Sequence, residues 1–134
     1  MHALIVSPLY VGLCALIFFV LSVMVIRLRA GRHTWFGDAG HADLQRAIRV
    51  QANFAEYTPL ALLVIVVVEA AGYHAWVVHA LGIALVLGRL LHAWGLMRSA
   101  EASAGRFIGM NLTFLVLVAG GGLLIWCFVR NVTL

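Results

Sequence analysis

Arg49-Val-Gln51-Ala-Asn53-Phe-Ala-Glu56-Tyr57-Thr-Pro59 is where the chain passes from polar sequence into a long apolar run, and its reading decides the fold. At about 100° per residue on an α-helix, Arg46, Arg49, Asn53, Glu56 and Tyr57 fall within an arc of about 100° and form one polar face. Phe54, Ala55 and Ala61 lie outside that arc. Ionisable side chains cost on the order of 2.5–3.5 kcal/mol each at the centre of a bilayer and less near its surface. A stripe of them on one helix therefore implies partners, either neighbouring helices or a polar ligand. An arginine for a carboxylate, a glutamate for an ammonium and a phenol nearby suit a small zwitterionic, peptide-like molecule.

Outward from this stretch, the composition is that of an integral membrane protein. The 134 residues are 64% hydrophobic and 10% charged, with a mean hydropathy of +1.05, whereas soluble domains carry about 25% charged residues. No soluble core of this length hides so much apolar surface. All nine basic residues are arginine, and with abundant Ala, Gly and Val this points to a GC-rich bacterial genome. Those arginines flank hydrophobic spans, so they set membrane orientation and do not form a nucleic-acid surface. Cys14 and Cys127 lie within apolar runs and read as small buried hydrophobes, with no metal site or disulfide framework in their spacing. Arg27, Arg29 and Arg32 follow the first hydrophobic stretch, which predicts a retained span and not a removed signal peptide.

A span needs about 20 apolar residues. The pattern predicts four, at about 8–26, 54–71, 75–96 and 106–129, in a single all-α domain covering residues 1–134. Ser7 reads as the N-cap of the first helix, with Pro8 at its first helical position. The second helix begins near Ala42, so its first turns project into the aqueous interface. Turn signals separate the spans at Gly37–Gly40, Ala71–Tyr73 and Ser99–Gly105. One four-helix bundle accounts for the chain. Arginines crowd the first and third connections, with Arg130 alone opposing them. The positive-inside rule then puts those connections in the cytoplasm and both termini opposite. The polar stripe meets the end of span three and the start of span four on the cytoplasmic side.

Span three carries Arg89 and His92, three apart and on one helix face. An arginine so deep in a span must pair or snorkel, and Glu56 on the neighbouring helix is its expected structural partner. Arg106 opens span four, where a helix N-terminus already carries about half a positive charge. It reads either as an interfacial anchor or as an anion site able to stabilise a thiolate. Gly105, Gly109 and Gly120-Gly121-Gly122 read as close-packing positions within or between subunits. His74 and His79 read as interfacial polar residues. No HExxH, CxxC, GxSxG or phosphate-binding glycine loop occurs, so those chemistries find no support.

Arg49-x-Gln51-x-Asn53-x-x-Glu56-Tyr57-x-Pro59, followed by Gly88-Arg89-x-x-His92-x-x-Gly95, resembles the signature of the MAPEG family, the membrane-associated proteins in eicosanoid and glutathione metabolism. The resemblance covers nearly the whole chain and is nearest to the short bacterial branch. It implies a homotrimer in a bacterial inner membrane, with glutathione as co-substrate held between adjacent subunits at the cytoplasmic side. On this reading Arg46, Arg49, Gln51, Asn53, Glu56, Tyr57, Arg89 and His92 bind glutathione. Gln51 points away from the stripe and serves a neighbouring subunit's site. Arg106 is the catalytic arginine that activates the thiol, and no metal takes part. His92 and Leu96 stand where the eicosanoid-forming enzymes carry tyrosines, and the loop before Arg106 needs extra residues to match the family.

The expected function is therefore a membrane glutathione transferase or peroxidase, acting on hydrophobic electrophiles or lipid hydroperoxides delivered through the bilayer. The alternatives are a non-catalytic lipid- or glutathione-binding scaffold of the same fold and a small multidrug transporter. A proton-coupled transporter needs an intramembrane carboxylate, typically in its first span, and that span has no acid.

Overall fold

The computed structural model describes residues 4–99 and 101–133; Ala100 of the third connection and the chain ends lie outside the described residues. It contains four helices, α1 (Ser7–Gly31), α2 (Ala42–Ala70), α3 (Ala75–Arg98) and α4 (Ala104–Val132). Each is long and apolar enough to cross a membrane. Leu16, Phe19, Leu63, Ile83, Ile125 and Phe128 are all exposed on the outside of the bundle, as a lipid-facing surface requires. The core between the helices is built from Leu44, Val50, Ile65, Val78, Leu85 and Val116.

The closest packing joins α3 to α4, and glycine is the reason. A Cβ added at Gly109 would stand 2.5 Å from the Gly88 carbonyl oxygen and 2.6 Å from the His92 nitrogen. One at Gly95 would stand 2.7 Å from the Arg106 nitrogen. The two backbones touch along this seam, as small-residue faces permit in a bilayer. Gly105, Gly109 and Gly120 thus serve contacts inside the chain, Gly120 against Val64 of α2, whereas Gly121 and Gly122 face open space. Helix α2 packs against the other three helices, and among the described residues α1 and α4 do not pack on each other.

The N-terminus of α1 is capped in a way the sequence reading missed. Ser7 is the first helical residue, Val6 stands at the cap, and no side chain of the α1 segment caps the helix. Glu69, at the far end of α2, does so instead. Its carboxylate accepts from the N–H groups of Ile5 (2.8 Å), Val6 (2.7 Å) and Ser7 (2.7 Å). An anion at a helix N-terminus satisfies orphan donors and the helix dipole together, which the Ser7 hydroxyl cannot match. Nearby, the Tyr10 hydroxyl lies 2.8 Å from His79 Nδ1, so His79 has an internal partner. Tyr73 donates to the Leu123 carbonyl at 2.7 Å and ties the second connection to α4.

In the first connection Arg29 donates to the Gly37 carbonyl at 2.8 Å, and Arg32 pairs with Asp43 at 2.6 Å. At the third connection Ser103 caps α4 through its hydroxyl, which accepts from the Arg106 N–H. Arg106 accordingly sits in the first turn of α4 and does not begin it.

Candidate functional site

Three helix ends meet at the end of the bundle opposite Glu69: the start of α2, the end of α3 and the start of α4. The amphipathic start of α2 turns Arg46, Arg49 and Asn53 inward. The α3–α4 seam sets His92 and Leu96 beside Arg106. Together with Gln45 these residues line a cavity of about 240 Å³. Three of the seven lining residues are arginines and none is a carboxylate. The Arg46 Nε is buried and has no hydrogen-bond partner, which marks a donor suited to an anionic ligand.

The other expected site residues lie around this cavity and not in its wall. Tyr57 packs edge-on against Phe114, with ring centroids 5.8 Å apart. Glu56 is exposed on the chain's surface, beyond Asn53 along α2. Gln51 donates to the Ser22 hydroxyl of α1 at 3.0 Å, so the expectation that it faces outward gives way. The side of α2 away from the polar stripe is covered by α1 of the same chain, and Gln51 satisfies its amide there.

Arg89 is 2% exposed and stands behind the cavity wall. The expected pair with Glu56 does not form. Arg89 Nη1 instead donates to Asn53 Oδ1 at 2.8 Å and lies 3.4 Å from the Asn53 backbone carbonyl oxygen. Its Nη2 reaches the Met110 thioether at 3.4 Å, and its guanidinium carbon lies 6.0 Å from the centre of the Tyr57 ring. The depth at which α3 packs on α2 brings Arg89 level with Asn53, and no helical projection of one helix contains that register.

A second cavity, of about 440 Å³, opens on the α4 side between His92, Arg106, Phe107, Met110 and Phe114. His92 and Arg106 belong to both cavities and form the partition between a cationic chamber and one edged with aromatic and thioether groups. Arg106 Nη1 also donates to the Glu101 carbonyl at 3.0 Å. Gln45 and Met110 were not expected here. Gln45 lies four residues before Arg49, one helical turn back along the stripe, and that spacing was the available signal. Met110 carried none.

The model of the MAPEG family matches residues 7–126. The inner membrane protein YecN of Escherichia coli (strain K12) is 42% identical over 90 residues, which cover 67% of this chain and 69% of the relative. The protein of the same name from Escherichia coli O6:H1 (strain CFT073) matches to the same extent.

Proposed function

The chain belongs to the MAPEG family, and from that premise we propose that it is a membrane glutathione transferase or peroxidase acting on hydrophobic electrophiles or lipid hydroperoxides. Family membership supports glutathione-related function in a multi-pass inner membrane protein. The observation that carries the finer reading is the partition formed by His92 and Arg106 between the two cavities.

In this mechanism the arginine-lined chamber holds the carboxylates of glutathione through Arg46, Arg49 and Asn53. Glu56, on the exposed edge of the same helix, receives the ammonium, and a neighbouring copy closes that edge in a homotrimer. The thiol reaches the partition, where Arg106 and the N–H groups of the first turn of α4 favour the thiolate. The hydrophobic co-substrate enters the aromatic chamber from the bilayer. Two reactants held at one partition gain from proximity, and the developing anion gains from fixed positive charge. By the positive-inside rule the arginine-rich connections support a chamber that opens to the cytoplasm.

A second reading, a non-catalytic member that binds glutathione or lipid, draws support from the bond of Arg106 to the Glu101 carbonyl, which holds the guanidinium towards the loop. One experiment separates the two. Glutathione bound to the parent protein near neutral pH is expected to show thiolate absorbance in the ultraviolet. Arg106→Ala is expected to abolish that signal and turnover while retaining much of the binding. Glutathione binding with no thiolate signal, and no activity towards electrophiles or hydroperoxides, would establish the non-catalytic reading. Failure of the parent to bind glutathione would overturn the first.

A further inference from the structure

We propose that Arg89 is a positioning residue. It turns the Asn53 carboxamide so that its NH₂ faces the cationic chamber, and thereby makes that wall select a carboxylate. The inference rests on the reading of this chamber as the glutathione site.

The argument begins with what a guanidinium can do. It has only donors, so the Asn53 atom 2.8 Å from Arg89 Nη1 has to be the carbonyl oxygen. The amide is planar, and its NH₂ then points the other way; Asn53 is a wall residue of the chamber. An unconstrained asparagine offers either end to a ligand. This one offers a donor.

The choice of acceptor is informative. Arg89 is buried, and among the described residues the one ion pair is Arg32–Asp43. A cation buried in the bundle is costly unless paired, and a carboxylate at position 53 would pair with it better than an amide does. That carboxylate would also present its second oxygen to the chamber, beside the arginines that are to receive an anion. The amide answers the guanidinium on one side and keeps a donor for the ligand on the other. The second approach of Nη1, to the Asn53 backbone carbonyl oxygen at 3.4 Å, holds both ends of the residue.

The decisive variant is Asn53→Asp, which keeps an acceptor for Arg89 but removes the donor. It is expected to assemble and melt at least as well as the parent, yet to bind glutathione at least about 30-fold more weakly in calorimetric titration. The diethyl ester of glutathione, which lacks both carboxylates, sharpens the readout. The preference of the parent for glutathione over this ester is expected to shrink at least about tenfold in Asn53→Asp, a change that a purely structural role would not produce. Arg89→Met removes the buried charge and frees the amide to turn, and is expected to weaken glutathione about tenfold without loss of fold. Arg49→Ala serves as the control on the site itself. If Asn53→Asp and Arg89→Met bind glutathione like the parent while Arg49→Ala does not, the site stands and this inference falls. If all three bind like the parent, the chamber is not the site and both readings fall.

Discussion

The two ends of this bundle use their polar groups in opposite ways. At one end Glu69 answers three backbone N–H groups, Tyr10 meets His79, and Tyr73 holds the Leu123 carbonyl. At the other end three arginines, an asparagine and a histidine converge on a cavity with no carboxylate in its wall. Polar residues are scarce in a chain that is only 10% charged, so this contrast in their use is informative. Where polar groups satisfy each other, they hold helices together. Where charges of one sign gather around a space, they are arranged for something that enters it.

The contrast predicts separable consequences. Arg49→Ala is expected to reduce glutathione affinity by about 2–5 kcal/mol with little change in thermal midpoint, as measured by titration and melting in the same detergent. An equal loss of stability would mean that the arginine end is also structural. Glu69→Ala is the mirror test. Loss of an acceptor for three N–H groups is expected to cost about 2–4 kcal/mol of stability while the protein that remains folded binds glutathione normally. Weakened binding in that variant would erase the division between the ends.

Gly109→Ala probes the seam on which the cationic chamber depends. Its Cβ would meet backbone atoms of Gly88 and His92, so a loss of about 1–3 kcal/mol is expected, together with weaker glutathione binding as His92 is displaced from Arg106. The smallest effect is expected at the exposed Arg32–Asp43 pair. Asp43→Asn should leave melting and binding at the parent's values, because exposed ion pairs contribute little.

Much of the first-order picture was legible in the residues. Four spans follow from hydropathy, and the shared face of Arg46, Arg49 and Asn53 follows from helical spacing; both depend on residues close together in the chain. What could not be read depends on how far one helix slides and turns against another. A carboxylate is the obvious partner for a guanidinium and Glu56 the nearest in sequence terms, yet the depth at which α3 packs on α2 brings Arg89 to Asn53. Gln51 was assigned outward from its angle on α2, but the position of α1 decides what it meets. Glu69 carried no motif, because its role appears only when the end of α2 lies against the start of α1. The Ser7 expectation failed for a related reason: the helix begins at Ser7 itself, and the distant Glu69 carboxylate binds the N–H groups of Ile5, Val6 and Ser7.

The glycine seam also governs how the molecule can move. With Gly109 against Gly88 and Gly95 against the Arg106 nitrogen, α3 and α4 form one stiff lever that carries His92 and Arg106 together. The span between Arg49 and Arg106 is set by how α2, which carries Arg49, packs on that lever. Helix α2 contains Pro59, whose missing N–H leaves the Ala55 carbonyl without its helical bond, so the compliant joint lies just past the polar stripe. The cationic chamber is therefore walled on one side by a locked helix pair and on the other by a single helix with a gap in its hydrogen-bond ladder.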